Sequence, residues 1–466
     1  MSAQLLEKID LLIEENTEKL ISDTIKLVNI NSERTEALPG APFGKGPREV
    51  LDTVLKMGES EGFATTDYGV GVISLGMKKG QPDLGIWAHG DVVPAGEGWT
   101  YGPYNATLYK NCIIGRGATD NKGQLASIFN LFRIFKELGI ELNYNAALYV
   151  GSAEEGGMWD MKGIDGNPDA KGFINVCTPP KMSLVPDSGF PLAYGARGLT
   201  YFKIKSKKPL KSCTITAGLD NSPGKATAVF NRTDLPDNLP ECTVVKGENT
   251  TIETFVAPKH AAQTNTNGNM ITKLLAVLME NNLVCEEDKE ILNFFKEISL
   301  DNTGAMFDIN VPTKIMKSTY VSAVKIEDAD GFPKLTIRIG YPIDITLEQI
   351  LDNIKNICEP KGYEVIFGHG HRPYINDNNT EVVKALVSIA NEITGDDAPA
   401  YICGSTYAHY LPNAYVYGMN GCCPPEDFPK GRGGAHGIDE CVSIERLKRA
   451  MRIYARALLK LNDIEW

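Results

Sequence analysis

The sequence predicts an α/β fold divided into more than one domain, and three observations point there. Apolar segments of strand length alternate with amphipathic helical stretches, the pattern of helices packed on a buried sheet. The chain has 466 residues, more than one hydrophobic core usually organises. Hydrophobic residues make up 42% and charged residues 23% of it, as in soluble globular proteins and unlike disordered, collagen-like or membrane-bundle chains.

The elements follow in order. Apolar positions at helical spacing (Leu5, Ile9, Leu12, Ile13, then Leu20, Ile21, Ile25, Val28) predict one or two opening helices. Pro and Gly between Glu36 and Gly46 predict a loop. Strands are expected at 71–76 and 84–88, then a helix over 123–138 and a strand at 145–150. After Tyr194-Gly195-Ala196-Arg197-Gly198 the pattern changes to a Lys-rich strand over 199–208 with polar turns at 220–224 and 236–240. Helices at 269–281, 286–298 and 347–357 and strands at 321–326 and 334–339 complete a second folding unit. The chain turns again between His369 and Pro373, and helices over 380–395 and 443–461 close it. No repeat at a period of roughly 20–50 residues is present.

Charge and composition exclude whole classes of partner. The 47 Lys and Arg against 59 Asp and Glu leave a net charge of −12, which repels a phosphate backbone, so no nucleic-acid partner is expected. The N-terminus lacks the basic start and apolar core of a secretory signal, and no run reaches the roughly 20 apolar residues of a membrane span. Ten cysteines without a CxxC pair read as reduced thiols of a cytoplasmic protein.

Chemistry concentrates where strands and Gly-rich loops end. In Leu84-Gly85-Ile86-Trp87-Ala88-His89-Gly90-Asp91 an apolar strand runs into His and Asp two positions apart. His89 can be a metal ligand with Asp91 accepting its other ring N–H, or the pair can belong to a surface turn. Gly115-Arg116-Gly117-Ala118-Thr119-Asp120-Asn121-Lys122-Gly123 leads into a helix but fits neither phosphate-loop pattern. Asp120 there reads as a ligand or as a helix cap. The strand before Gly151-Ser152-Ala153-Glu154-Glu155-Gly156-Gly157 delivers two adjacent carboxylates. Neighbouring side chains on extended backbone point to opposite sides, so one can bind metal while the other moves protons; a solvated acidic turn is the alternative.

Met182-Ser183-Leu184-Val185-Pro186-Asp187 is another apolar strand closed by a carboxylate, and Gly433-Gly434-Ala435-His436-Gly437-Ile438-Asp439-Glu440 sets a histidine in a late Gly-rich loop. Repetition carries the argument, because ligands of open α/β sheets gather at strand C-termini. Histidine and carboxylate oxygen suit two divalent cations, Zn²⁺ first, with Mn²⁺ or Co²⁺ as substitutes. A covalent mechanism lacks support: there is no GxSxG, and Cys403, Cys422 and Cys423 have no catalytic context.

Taken in order, His-Gly-Asp, Gly-Arg-Gly-Ala-Thr-Asp-Asn-Lys-Gly, Glu-Glu, Pro-Asp-Ser-Gly-Phe-Pro and a late His resemble the metallopeptidase family of aminoacylases, glutamate carboxypeptidases and PepV-type dipeptidases. Gly404-Ser405-Thr406-Tyr407-Ala408 followed by His436 resembles the PepV-type branch. The resemblance implies a three-layer zinc-exopeptidase-like catalytic domain in two parts, 1–197 and 368–466, with an inserted α+β lid at 198–367 built of two halves. It implies that Asp120 bridges two metals, one also held by His89 and Asp187, the other by Glu155 and His436. Asp91 would orient His89, and Glu154 would act as general base. His260, in Pro258-Lys259-His260-Ala261-Ala262, resembles the lid histidine that steadies the oxyanion; Arg338, in Leu335-Thr336-Ile337-Arg338-Ile339, resembles the arginine that grips a terminal carboxylate. Asn221 and Ser405 are the corresponding further substrate contacts. Two segments depart from the family pattern: Asp220-Asn221-Ser222-Pro223-Gly224 replaces Asn-x-Val-Pro-Asp, and His436-Gly437-Ile438-Asp439-Glu440 replaces His-x-x-Asn-Glu.

The implied activity is hydrolysis of unblocked dipeptides by an exopeptidase. Its alternatives are an N-acyl amino acid deacylase, of acetylornithine or succinyl-diaminopimelate type, and a catalytically silent scaffold, which the filled ligand and base positions disfavour. So large a lid implies a monomer, with a homodimer as the alternative.

Overall fold

Strands that are almost wholly apolar or small have no solvent face, so they become inner strands of a sheet covered on both sides. In the computed structural model, which describes residues 3–164, 167–218, 225–255, 269–328, 331–419 and 424–466, that is the position of Val72–Gly76, Leu84–His89, Ala146–Gly151 and Met182–Val185, each buried along its length. Among the described residues they belong to a nine-stranded sheet. Leu84–His89 runs parallel to Ala146–Gly151 on one side and to Met182–Val185 on the other, and Ala414–Val416 continues parallel beyond it. The register pairs His89 with Gly151 and Ile86 with Leu184. The C-terminal ends of these strands therefore finish along one edge, where such sheets collect ligands.

The chain divides into two compact units, Met1–Ala196 with Ile375–Trp466, and Arg197–Tyr374. In the first, the helix Lys122–Glu137 buries Leu125, Phe129 and Phe132 in the core that also takes Leu447, Met451, Tyr454 and Leu458 of the helix Ile444–Leu461. Lys448 and Arg456 pair with Glu14 and Asp10 at 2.7 Å and tie the last helix to the first, Ala3–Glu15. Such partly exposed pairs contribute at most about 1 kcal/mol each, so apolar burial holds the layer.

Two features lay outside the sequence reading. Lys45–Ser60 is a helix that buries Val50, Leu51, Val54 and Met57, begun by a proline, Pro47, in its first turn. Thr107–Tyr109, Cys112–Ile114 and Cys441–Ser443 form a small sheet, its strands too short for periodicity to reveal. Cys441 pairs with Ile114, and the Gly115 N–H donates to the Glu440 carbonyl at 2.8 Å. The loop ending at Glu440 thus lies beside the loop that carries Asp120, across more than 300 residues of sequence.

The second unit contains an antiparallel sheet of eight strands among the described residues. In Gly198–Ser206 burial alternates, with Thr200, Phe202 and Ile204 inward, as a sheet covered on one face requires. The helices Met270–Glu280, Glu286–Leu300 and Leu347–Cys358 supply the cover through Leu274, Phe295 and Ile354. Asn269 accepts from the Ile271 N–H, and Thr346 and Gln349 cap each other reciprocally, which fixes two helix starts. The end expected at 367 falls inside the strand Tyr363–His371; its pairing with Gly198–Ser206 carries this unit on to Tyr374.

Candidate metal centre

His89 ends its strand almost wholly buried, at 1% exposure. Its Nδ1 lies 3.0 Å from the Asp91 carbonyl oxygen and 3.6 Å from the Asp91 carboxylate. The main-chain oxygen of Asp91 is thus the nearer partner of the ring, with the Asp91 carboxylate at ion-pair distance behind it. That carboxylate accepts from the backbone N–H groups of Glu154 and Glu155, each at 3.1 Å. Asp91 thus links the His89 strand end to the turn that bears both glutamates.

Asp120 is not a helix cap. The N-cap position belongs to Asn121, whose side-chain amide donates to the Pro186 carbonyl at 2.9 Å and to Asp187 Oδ1 at 3.2 Å. The Asp120 carboxylate spans two histidines: Oδ1 is 3.1 Å from His89 Nε2 and Oδ2 is 3.3 Å from His436 Nε2. Asp187 Oδ1 lies 4.0 Å from His89 Nε2, and Glu155 Oε1 lies 2.7 Å from His436 Nε2. The five residues make two groups, His89 with Asp120 and Asp187, and Asp120 with Glu155 and His436, within each of which the ligand atoms lie within 4.8 Å of one another. Asp120 belongs to both and turns one oxygen to each.

The charges show what such a site can hold. Burial opposes ionisation of Asp120, but hydrogen bonds from His436 and His89 hold its carboxyl well below the usual range. Burial works against a charge on His89, and Asp120 and Asp187 outweigh it, so the imidazole is held well above its ordinary pKa. His436 is raised likewise by Glu155 and Asp120. Glu154 is driven well above the carboxylate range by burial and then by the negative charge of Asp187. Buried carboxylates here outnumber the cationic side chains beside them, and imidazole with carboxylate oxygen is a donor set for zinc-like cations. The residues fit two divalent ions sharing one carboxylate.

A supporting layer escaped the sequence reading. Glu440, fully buried, accepts from the N–H groups of Gly117, Thr119 and Asp120 at 3.1, 2.9 and 3.0 Å and from Arg116 Nη1 at 2.6 Å. It shapes the loop that presents Asp120. Asp439 accepts from the Thr100 and Tyr101 N–H groups at 2.8 and 3.2 Å. The only signal in the sequence was their place just after His436.

Of the remaining predicted residues, His260 and Asn221 lie outside the described residues. Ser405 sits in the first unit between the strand Tyr401–Cys403 and the short helix Tyr407–Tyr410. Arg338 lies in the second unit on Lys334–Tyr341, 9% exposed, and its Nε has no hydrogen-bond partner among the described residues. No helix among the described residues is long and apolar enough to cross a membrane, and none of the eight described cysteines forms a disulfide.

The chain is similar to known proteins over nearly its whole length. A protein of Staphylococcus aureus strain MW2, provisionally named a dipeptidase, is 25% identical over 491 aligned positions that cover 96% of this chain and 98% of the relative. Its counterpart in strain USA300 is 26% identical with the same coverage. The fold matches a dipeptidase of Saccharomyces cerevisiae at TM-score 0.60 and 15% identity, over the full length of both chains. It matches human carnosine dipeptidase 1 at TM-score 0.58 and 16% identity, over 98% of this chain and 100% of the other. Residues 85–460, from the strand that carries His89 to the last helix, match the model of peptidase family M20/M25/M40, and the chain belongs to that family.

Proposed function

We propose that this peptidase is a two-metal dipeptidase that splits the single peptide bond of short, unblocked peptides, with Glu154 as its proton carrier. The observation that carries the reading is the Asp120 carboxylate, one oxygen toward the His89 and Asp187 group and the other toward the Glu155 and His436 group. His89 and Asp187 would hold one cation, Glu155 and His436 the other, and Asp120 both; Zn²⁺ is the first choice, with Mn²⁺ and Co²⁺ as substitutes. Cations bound there supply Lewis acidity, polarising the scissile carbonyl and acidifying the attacking water.

Glu154 accepts the proton of that water and returns it to the leaving amine. Arg338, buried with an Nε that has no hydrogen-bond partner among the described residues, is assigned to the substrate's terminal carboxylate, which a guanidinium fork can grip through two oxygens. His260 is assigned to the oxyanion, and Asn221 and Ser405 to substrate contacts. The 197–374 unit is assigned as the lid of a cytoplasmic monomer. The dipeptidase names of the Staphylococcus relatives, matched over nearly their full length, support dipeptides over N-acyl amino acids.

The test is amine release from dipeptides, tripeptides and N-acetyl or N-succinyl amino acids by metal-loaded protein, with Glu154→Ala as control. Turnover of dipeptides that vanishes in the control is the expected result. Turnover of acylated substrates alone would move the activity to a deacylase.

A further inference from the structure

The turn that bears Glu154 and Glu155 is held from two sides. Asp91 takes the N–H groups of those two residues; the two preceding N–H groups, of Ser152 and Ala153, go to a carboxylate that metal chemistry does not use. Asp160 Oδ2 accepts them at 2.7 and 3.0 Å, and it also accepts the Tyr407 hydroxyl at 2.5 Å. Four consecutive amides are thus divided between two carboxylates.

Asp160 is fully buried and Tyr407 is 1% exposed. The Tyr407 ring packs edge-on against Trp87, centroids 6.0 Å apart, and Trp87 stacks on Tyr149 at 4.1 Å. Trp87 and Tyr149 sit opposite each other on Leu84–His89 and Ala146–Gly151, so the ring that aims the hydroxyl is anchored to the same two strands that end at His89 and at Gly151, just before Glu154. Gly151 completes the arrangement, because a Cβ there would overlap both the Tyr407 hydroxyl and Asp160 Oδ2. A cradle that admits only glycine at the strand end, and satisfies each amide beyond it, is built to fix where the next side chains point.

We propose that Asp160, gripped by Tyr407, is a positioning residue for Glu154, fixing the turn after Gly151 so that the Glu154 carboxyl stands at its working point beside the metal-ligand groups. This rests on Glu154 as the proton carrier of the reading above. A displacement of about 1 Å in a reacting group costs on the order of 100-fold in rate, so a small loosening of the turn is readable in kcat while ligands on other elements stay in place.

The experiment compares Tyr407→Phe, Asp160→Ala, Asp160→Asn and the double variant Asp160→Ala/Tyr407→Phe with the wild-type chain, on a cleaved dipeptide. Metal content and amide hydrogen exchange of residues 151–155 are measured on the same samples. Tyr407→Phe is expected to lower kcat tenfold or more with KM within about twofold and metal content unchanged, and to speed exchange at Ser152 and Ala153. Asp160→Asn, which keeps an acceptor oxygen, should be closer to wild type than Asp160→Ala, and the double variant no slower than Asp160→Ala alone, as expected for two groups acting as one. If Asp160→Ala does not fold, Tyr407→Phe, which loses one hydroxyl, decides. Wild-type kcat in folded Tyr407→Phe, or a loss that tracks metal content, overturns the proposal and leaves the peptidase reading standing if Glu154→Ala is inactive. Full activity in Glu154→Ala removes the reading of Glu154 and the proposal with it.

Discussion

Glu440→Ala tests whether the Asp120 loop is held from behind. Glu440 and Arg116 are both buried, at 0% and 1% exposure, and pair at 2.6 Å. Removing one partner of such a pair leaves the other charge uncompensated in the interior, which costs about 3–5 kcal/mol. The N–H groups of Gly117, Thr119 and Asp120 lose their acceptor as well, about 1–3 kcal/mol each where water cannot replace it. Against a total stability on the order of 5–15 kcal/mol for a domain, the pair term alone is a large fraction. Because the loop positions Asp120, metal affinity should fall about 10–100-fold, as when a partner behind a ligand is lost.

The assay is favoured by an accident of composition: Trp87, Trp99, Trp159 and Trp466, all four tryptophans, lie in the first unit. Tryptophan fluorescence in a urea titration therefore reports that unit, while circular dichroism follows the whole chain. Glu440→Ala should lower the fluorescence midpoint sharply, and Glu440→Gln, which keeps one acceptor oxygen, should lower it less. An unchanged midpoint together with unchanged metal affinity in Glu440→Ala would refute the reasoning.

Three further outcomes follow from the same geometry. Asp120→Ala should abolish binding of both metal equivalents and Glu155→Ala of one, read by metal-to-protein ratio after dialysis; equal losses in the two variants would contradict a shared carboxylate. Saturating Zn²⁺ at about 100 times its dissociation constant should raise the stability of the tryptophan-bearing unit by about 2.7 kcal/mol, and chelation should reverse it; a midpoint indifferent to chelator would count against the site. Burial, and then the negative charge of Asp91, push the Asp160 carboxyl up to about 7 from 3.8, so between those values the folded state binds the proton and the unfolded chain does not. Its stabilising contribution is then full below pH 3.8 and lost as pH rises through 7, up to about 4 kcal/mol for three pH units. Asp160→Asn should flatten that part of the fluorescence-monitored pH dependence, and parallel curves for the two proteins would exclude Asp160 as its source.

The residues of the site were legible because each stands where an apolar strand or a Gly-rich loop ends. His89, the Glu154 and Glu155 pair and Asp187 follow Leu84–His89, Ala146–Gly151 and Met182–Val185, and a strand with no polar face has one obvious place for a charged group. The helices were legible from the spacing of residues such as Leu447, Met451, Tyr454 and Leu458, since a 3.6-residue period is local information. Lys45–Ser60 carried the same signal and was overlooked beside a Pro- and Gly-rich loop.

What the sequence could not supply was who holds whom. That Asp91 turns its carbonyl to His89 and its carboxylate to the glutamate turn depends on the register of two strands. That Glu440 reaches the Asp120 loop depends on a sheet of three-residue strands, and that Tyr407 reaches Asp160 joins residues 247 positions apart. Types and periods of residues are written along the chain, so the sequence alone determined the fold class and the candidate ligands. Hydrogen bonds between buried groups are satisfied only after the backbone has closed, so the partners that aim those groups were decided by tertiary structure alone.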